Sequence, residues 1–297
     1  MPSPLPKNPC YQVILNPVAG RGRGARLLPQ IPELLQGLRY DLAVTEGHGH
    51  ATALAAEAAS EGYDVVVAVG GDGTTLEVLN GLAGSHTVLA VLPIGSGNDF
   101  IKPLGIPTDL VAAVGLLRRG LVRRIDLGRA GGVYFGNMLG MGFDACVAIE
   151  TYRLPRLRGL ALYLAALWRT VWRYCAPHLR IECDGRMILK GRFLMANVAN
   201  GRCQGANFWL TPNAQMDDGL FDLCLIAAMP IPLFFYHLPK VFRGKHTCLR
   251  EVTMLQARRV VVQADRPIAV HADGEILAQA TTSLEAEIVP GALQVLC

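Results

Sequence analysis

Val65-Val66-Val67-Ala68-Val69-Gly70-Gly71-Asp72-Gly73-Thr74 is the stretch that decides the fold of the N-terminal half. Its β-branched apolar run predicts a strand buried on both faces, and such strands belong to parallel sheets covered by helices. The glycines let backbone N–H groups approach an anion closely, and the helix-like segment Leu76–Leu82 that follows adds a partial positive charge. The stretch therefore predicts an α/β domain that binds phosphate.

The same rhythm of apolar run, loop and helical segment extends on both sides of this stretch. Other predicted strands are Tyr11–Leu15, Arg39–Thr45 and Val88–Leu92. Two of them also end in Gly-bearing loops, Asn16–Gly20 and Ile94–Asp99. Because parallel strands place their carboxyl ends at one edge of a sheet, the three Gly-bearing loops are expected to converge on one cleft.

Each loop taken alone leaves alternatives open. Asp72 beside a bound phosphate would need a metal ion or an acceptor hydroxyl between them, but it could instead cap the next helix in a tight turn. The first loop continues as Gly20-Arg21-Gly22-Arg23-Gly24, which suits phosphate contact or a flexible basic loop. It lacks the Gly-Lys-Ser/Thr ending of a Walker A loop and the dinucleotide pattern G-x-G-x-x-G.

After Gly128 the sequence changes to short runs in which apolar and polar residues alternate, broken by Gly, Asn and Asp. This pattern is typical of an all-β domain. The predicted strands are Val133–Met138, Leu179–Cys183, Met187–Val198, Leu220–Ile226, Val260–Gln263, Ile268–His271 and Ser283–Val289. Gly159–Tyr174 and Pro230–Val241 are predicted helices. We therefore expect an α/β domain over residues 1–128 and a β-sandwich over 129–290, with 291–297 as a segment that could return to the first domain.

Bulk properties narrow the class of protein. The chain has 297 residues, 51% hydrophobic and 18% charged, so we expect a folded protein with unusual apolar surface. The N-terminal segment is Pro-rich and lacks the apolar run of a signal peptide, and no apolar stretch is long enough to span a bilayer. A cytoplasmic location is therefore expected. Eight scattered cysteines indicate neither a zinc site nor a disulfide framework. The net charge of +4 is too weak to imply nucleic acid.

Five motifs in order resemble one family. Asn16-Pro17-x-x-Gly20, Gly70-Gly71-Asp72-Gly73-Thr74 and Gly95-Ser96-Gly97-Asn98-Asp99-Phe100 resemble the catalytic domain shared by bacterial diacylglycerol kinases, related lipid kinases and sphingosine kinases. Pro212–Leu220 and Asp273-Gly274-Glu275 resemble two further segments of that family. The resemblance covers nearly the whole chain. It implies an ATP-dependent lipid kinase with an NAD kinase/diacylglycerol kinase-like α/β domain and a β-sandwich, and ATP at the mouth between them.

The resemblance also implies a set of ATP-contacting positions. Ser96 stands where many relatives have Thr, and the hydroxyl is kept. The implied positions are Asn16, Pro17, Val18, Ala19, Gly20, Thr45, Gly71, Asp72, Gly73, Thr74, Thr75, Leu76, Glu77 and Ser96.

Metal and base are implied in the same way. Asp218, with the backbone carbonyls of Gln215 and Leu220, matches a structural Mg²⁺ site, and an acidic turn between strands is the alternative. Glu275 matches the proposed general base that takes the proton of the lipid hydroxyl, although Asp273-Gly274-Glu275 on its own could be a hairpin turn. Asp72 is the second catalytic candidate, as base or as ligand of the catalytic Mg²⁺.

The lipid side rests on one amphipathic segment, 158–173. Helical spacing gathers Leu160, Tyr163, Leu164, Leu167 and Val171 on one face and Arg158, Arg169 and Arg173 opposite. Trp168 and Trp172 could enter a bilayer, or the helix could pack on the β-sandwich with a solvated basic face. The expected partners are a membrane lipid substrate, diacylglycerol first, a peripheral membrane surface and, by default, a second copy in a homodimer. An NAD kinase and a catalytically silent homologue are the rival readings.

Overall fold

The computed structural model describes residues 3–154, 156–157, 159–205 and 207–297, without the side chains of residues 187 and 188. Arg158, which was assigned to the basic face of the amphipathic helix, lies outside the described residues. The chain divides into unit 1, Met1–Asp126 with Pro290–Cys297, and unit 2, Leu127–Val289. The predicted boundaries were 128 and 290, with 291–297 returning to the first domain.

Unit 1 is built from alternating strands and helices. Its elements are β1 (Ser3–Pro4), β2 (Cys10–Leu15), α1 (Ala19–Leu27), a 3₁₀ turn (Leu28–Gln30), α2 (Ile31–Leu34), β3 (Arg39–Val44), α3 (His50–Glu61), β4 (Val65–Gly70), α4 (Asp72–Leu82), β5 (Val88–Pro93), α5 (Leu110–Arg119) and β6 (Leu121–Ala130), the last of which continues into unit 2.

The sheet of unit 1 is parallel in the order β3-β2-β4-β5, with the end of the C-terminal strand beside β5 through Gln294↔Val88 and Val295↔Leu89. Every residue of β4 and β5 is buried, which explains their continuous apolar sequence. The prediction of a parallel α/β domain is confirmed. Within the Pro-rich leader, Ser3 and Pro4 pair with β6.

Unit 2 is mainly antiparallel. Its elements are β7 (Val133–Phe135), β8 (Met138–Gly142), α6 (Phe143–Tyr152), α7 (Gly159–Val171), β9 (His178–Cys183), β10 (Arg186–Ala199), β11 (Phe221–Ala227), α8 (Ile231–Val241), β12 (Val252–Ala257), β13 (Arg259–Ala272) and β14 (Glu275–Leu296), which ends in unit 1. The order β12-β11-β10-β8-β13-β14 is antiparallel throughout, and β9 pairs with both β10 and β13.

Two predictions for unit 2 need correction. Val260–Gln263 and Ile268–His271 belong to the single strand β13, whose pairing with β14 shifts register between them. An irregularity of this kind interrupts the alternation that a sequence pattern detects, although the strand continues. Helix α6 and strand β12 were not predicted, whereas the helices predicted at 159–174 and 230–241 are confirmed as α7 and α8.

Candidate functional site

The three Gly-bearing loops of unit 1 converge at the carboxyl ends of β2, β4 and β5, as predicted. A Cβ on Gly95 would lie 2.6 Å from Cα of Gly71, so the second and third loops touch backbone to backbone. A Cβ on Gly20 would overlap the carbonyl oxygen of Ile94, which ties the first loop to the third. Glycine is required at these contacts because any side chain would push the loops apart.

Asp72 links the second loop to the third. One carboxylate oxygen, Oδ1, accepts the backbone N–H of Asp99 at 2.6 Å and that of Phe100 at 3.2 Å. Gly71 is the N-cap of α4 and has no side chain that could cap the helix. Asp72, the first residue of α4, binds amides of the third loop, so a role as a helix cap alone does not account for its contacts. Its Oδ2 faces Gly97, where a Cβ would lie 2.8 Å away.

Asn16 holds the first loop against α4. Its Nδ2 donates to Thr74 Oγ1 at 2.9 Å, and its Oδ1 accepts the N–H of Val18 at 3.1 Å. Helix α4 starts at Asp72, and the first amides of a helix have no acceptor within it. The loop thus presents a helix N-terminus and glycine backbone to any anion in the cleft.

The remaining positions implied by the resemblance lie in different environments. Thr74, Thr75, Leu76 and Thr45 have buried side chains, whereas Val18 and Ser96 are exposed. The carboxylate of Glu77 accepts the N–H of Ala51 at 3.1 Å and lies 3.0 Å from His48 Nδ1, so it caps α3. Glu77 is therefore engaged inside unit 1, and its predicted contact with ATP stays a prediction.

A cavity of about 390 Å³ adjoins the third loop in unit 1. Two guanidinium groups face it, and Arg23 Nη1 donates to the carbonyl of Ile94 at 3.4 Å. The lining residues are Arg23, Arg26, Leu27, Gln30, Ile94 and Leu110. Cationic donors on an apolar floor suit an anionic ligand with an apolar part.

In unit 2, Asp273 and Gly274 form the two-residue turn between β13 and β14. Both have positive φ, 50° and 92°, and Ala272 pairs with Glu275 across the turn, as in a type I′ hairpin. The hairpin alternative is thus correct for the backbone. Asp273 also receives three backbone N–H groups, from Gly136 at 2.7 Å, Asn137 at 3.0 Å and Met138 at 2.7 Å.

The electrostatics of Asp273 combine opposing effects. Burial raises the pKa of its carboxyl, while the three N–H donors and the nearby His271 act in the opposite direction. The three N–H donors attach the turn to the start of β8. Glu275, the first residue of β14, therefore follows a turn whose backbone is held in place.

Glu275 has one partner among the described residues, the hydroxyl of Tyr152, which donates to Oε2 at 3.0 Å. Sequence reasoning did not include Tyr152. Tyr152 is the last residue of α6, a helix that was not predicted, and it lies 123 positions from Glu275. An apolar face at helical spacing could have revealed α6, but Phe143–Tyr152 mixes small, acidic and apolar residues without one clear face.

A second unpredicted cluster lies beneath the same turn. His271 is fully buried, and its Nε2 is 3.3 Å from Asp144 Oδ2 at the start of α6. Its Nδ1 accepts the N–H of Gly274 at 3.3 Å, so Nε2 carries the ring proton. Asn197 also donates to Asp144. The buried pair therefore supports the backbone of the Asp273-Gly274 turn.

The loop that was matched to a metal site leaves oxygen atoms suited to a hard cation. Asp218 is exposed, and its Oδ1 accepts the N–H of Leu220 at 3.0 Å within the turn. Asp222, which follows on β11, has a buried Oδ2 without a partner among the described residues. Burial raises the pKa of Asp222, and the charge of Asp218 raises it further. A cation here would relieve both groups, so these residues fit Mg²⁺.

No group of three or more His, Cys, Asp or Glu side chains able to hold a metal occurs in the described part of the chain. The predicted set of Gln215, Asp218 and Leu220 contains one carboxylate and two backbone carbonyls, so this finding does not bear on it.

His246 contacts the segment just before this set, because its Nε2 lies 3.1 Å from the carbonyl oxygen of Leu210.

Helices α7 and α8 carry a largely exposed apolar face, here called the aromatic face and defined as Leu160, Leu164, Trp168, Trp172 just after α7, Phe235 and Tyr236. The first four recur every four residues, so they form one stripe. The Trp168 ring meets the Trp172 ring edge to face, with centroids 5.4 Å apart, and is tilted against the half-buried Phe235 ring at 5.3 Å. The exposed fractions are 55% for Trp168, 57% for Trp172 and 70% for Tyr236. Within the predicted apolar face, Leu167 and Val171 are buried, whereas Leu160 and Leu164 are exposed.

Cations border the aromatic face. Arg173 is exposed, Lys240 lies over the Tyr236 ring at 5.2 Å, and Arg169 pairs with Glu150 at 2.7 Å. None of the helices in the described part of the chain is both long enough and apolar enough to span a bilayer.

Two family models match the chain. Residues 11–130 match the diacylglycerol kinase catalytic domain, and residues 137–297 match the YegS C-terminal NAD kinase beta sandwich-like domain. The chain is 32% identical over 279 residues to a diacylglycerol kinase of Bacillus subtilis, covering 89% of each protein. It is 30% identical over 269 residues to a diacylglycerol kinase of Staphylococcus saprophyticus, covering 89% of this chain and 88% of the relative.

Solved structures agree. A putative diacylglycerol kinase from Bacillus anthracis superposes with a TM-score of 0.78 at 26% identity, covering 97% of this chain and 96% of that one. An NAD kinase from Archaeoglobus fulgidus in complex with ATP has a TM-score of 0.53 at 14% identity, covering 97% of this chain and 93% of that one. The second likeness concerns the fold alone. The predicted architecture, an α/β domain followed by a β-sandwich, is confirmed.

Proposed function

This chain belongs to the diacylglycerol kinase family and carries a kinase catalytic domain, which implies the use of ATP, and from that premise we propose that it transfers the γ-phosphoryl group of ATP to the hydroxyl of diacylglycerol. The observation that carries the proposal is the position of Asp72. This residue of the matched catalytic domain is held at the point where three glycine loops and a helix N-terminus meet.

The residues of unit 1 supply what phosphoryl transfer requires of a protein. Backbone amides at the start of α4 and the adjoining glycines would hold the phosphates, and the carboxylate of Asp72 would hold the catalytic Mg²⁺ or orient the acceptor hydroxyl. A bound Mg²⁺ would neutralise charge on the phosphates. A second Mg²⁺, with a structural role, is proposed at Gln215, Asp218 and Leu220.

Glu275 is proposed as the general base. Its carboxylate would take the proton of the lipid hydroxyl as that oxygen bonds to the γ-phosphorus. The bond from this phosphorus to the β–γ bridging oxygen would break, and ADP would leave with that oxygen. Phosphoryl transfer needs little covalent help, so the base mainly orients the nucleophile.

The test is transfer of radiolabelled γ-phosphate from ATP, with Mg²⁺, to diacylglycerol, phosphatidylglycerol, ceramide, a sphingoid base and a polyprenol in detergent micelles. NAD⁺ is the parallel acceptor. Labelled phosphatidic acid is the expected product. Labelled NADP⁺ with no labelled lipid would favour an NAD kinase, and ATP binding without any transfer would favour a silent homologue; either result would overturn the proposal.

Because the proposed substrate is a membrane lipid, we also propose which surface of the protein contacts the membrane. The aromatic face on α7 and α8 would enter the interface of an anionic bilayer, because amphipathic rings prefer that depth and the bordering Arg173 and Lys240 are attracted to acidic headgroups. Peripheral membrane association is proposed on this ground. A homodimer stays a prediction.

Binding to vesicles tests this surface directly. Replacing Trp168 and Trp172 together by Glu should lower partition into phosphatidylglycerol-containing vesicles by about 10-fold or more. The matched control is Val111→Glu, which charges an exposed apolar residue on α5 and should leave partition unchanged. Unchanged binding of the double variant, with an unchanged melting temperature, would contradict the proposed surface.

A further inference from the structure

Helix α6 meets the Asp273-Gly274-Glu275 turn at two points. At its start, Asp144 contacts His271, which in turn accepts the N–H of Gly274. At its end, Tyr152 donates to Glu275. One rigid element thus holds both the backbone of the turn and the side chain that follows it.

From this geometry, and resting on the proposed function, we infer that Tyr152 is the positioning residue for the general base. Its hydroxyl engages Oε2 of Glu275 and leaves Oε1 as the oxygen that takes the proton of the lipid hydroxyl. The resemblance that pointed to Glu275 rests on Asp273-Gly274-Glu275, whereas the role of Tyr152 is inferred from its contact with Glu275.

The helix is anchored well enough to perform this role. Glu150, two residues before the end of α6, is buried and binds Arg169 of α7 at 2.7 Å and Arg153 at 3.1 Å. With Asp144 fixed by His271 and Asn197, α6 is held at both ends. A donor on such a helix can fix the orientation of a carboxylate, because little rotational freedom remains in its support.

Tyr152 stays a donor during the reaction. Burial raises the pKa of its phenol, and the adjacent Glu275 raises it further, so the hydroxyl keeps its proton at any working pH. Tyr152 therefore remains the donor, and the carboxylate of Glu275 the acceptor, of their hydrogen bond.

Other ionisable groups surround this pair and remain the same when Tyr152 is changed. Those on α6 and on the strand and turn beside Glu275 are Asp144, Cys146, Glu150, Arg153, His271 and Asp273. A change of Tyr152 to Phe removes one hydroxyl and leaves all of them in place.

The experiment compares wild type, Tyr152→Phe, Glu275→Gln and the double variant in the micellar diacylglycerol assay. We expect Tyr152→Phe to lower kcat about 10-fold with little change in the KM for ATP, since a hydrogen bond to a charged group is lost. A fall in kcat without a rise in KM separates loss of base positioning from loss of nucleotide binding.

The matched control is Tyr63→Phe, which removes a tyrosine–carboxylate hydrogen bond of 2.9 Å, to Asp41, in unit 1. Its kcat and its KM for ATP should equal those of wild type. In the Glu275→Gln background, itself reduced about 100-fold or more, Tyr152→Phe should have little additional effect.

The failures are distinguishable. A wild-type protein that phosphorylates no lipid contradicts the proposed function. A wild type that is active while Tyr152→Phe retains its kcat, or loses rate through a raised KM for ATP, overturns the inference about Tyr152. Equal losses from Tyr152→Phe in both backgrounds would assign it a purely structural role, with the same result. Full turnover by Glu275→Gln would show that Glu275 is not the general base, and this result would also overturn the inference about Tyr152.

Discussion

The backbone N–H of Asp99 lies 2.6 Å from Oδ1 of Asp72, so the carboxylate that ends one glycine loop is bound by the next loop in the sheet. Asp99 is itself buried and paired with Lys102 at 2.6 Å. One oxygen of Asp72 thus has a structural role, while the other faces the cleft beside Gly97. The two roles can be separated by substitution.

Asp72→Asn keeps an acceptor oxygen for the amides of Asp99 and Phe100 but removes the charge. We expect a melting temperature close to that of wild type and a fall in turnover of about 100-fold or more, because charge near the phosphates is lost. Asp72→Ala should in addition lower the free energy of unfolding by about 1–3 kcal/mol, since two donors lose their acceptor. Near-normal turnover of Asp72→Asn would exclude a catalytic or metal-binding charge.

Mg²⁺ should stabilise the protein through Asp218. We expect the melting temperature of wild type to rise from EDTA to Mg²⁺, by an amount equivalent to about 2.7 kcal/mol when the metal is at 100 times its Kd. Asp218→Ala should lose this increment. Glu285→Ala, which removes an exposed carboxylate from the same unit, should keep it. A full Mg²⁺ increment in Asp218→Ala would rule out the metal site proposed at this loop.

Because residue 140 is glycine, the side chains of His271 and Asp144 can lie directly against its backbone. A Cβ there would overlap both Oδ2 of Asp144 and Nε2 of His271. Gly140→Ala should therefore lower the free energy of unfolding by about 1–3 kcal/mol, measured by urea denaturation. Gly191→Ala is the control, because its Cβ would meet only the Phe193 ring, at 3.9 Å. Equal stability of the two variants would mean that the pair can relax without cost.

His246 should make the stability depend on pH. Burial lowers its pKa, against the opposing effect of the Leu210 carbonyl, so the folded protein binds this proton less readily than the unfolded chain. Its contribution to stability is therefore full above the ordinary histidine pKa of about 6.5 and is lost as pH falls from there through the folded pKa. Each pKa unit of depression corresponds to about 1.4 kcal/mol.

Urea midpoints at pH 7.5 and 5.5 measure this effect. His246→Gln should show a smaller drop between the two values than wild type, although it is less stable at pH 7.5. His86→Gln, at an exposed histidine, should show the drop of wild type. The same drop in all three proteins would exclude His246 as the source.

Much of the fold could be predicted because its signals are local. Every residue of the apolar run Val65–Val69 is buried, as its continuous apolar sequence predicts. Gly71 after it is required by its backbone contact with Gly95. The predicted ends of α7 and α8 depend on helical periodicity and were wrong by only a few residues. Local patterns failed where tertiary contacts decide, as in β13, which continues across its change of register.

The sequence by itself determined the architecture of an α/β domain followed by a β-sandwich, the three Gly-bearing loops and the resemblance that led to Asp72, Asp218 and Glu275. These features depend on residue types at short spacing, which backbone geometry translates directly into structure. Only the tertiary structure decided which atoms meet: Asp72 with the amides of Asp99 and Phe100, His271 with Asp144, and Tyr152 with Glu275. Those partners are 27 to 127 positions apart in the chain. Folding brings them together because burying the apolar strands and helices fixes their positions, and no local pattern encodes that distance.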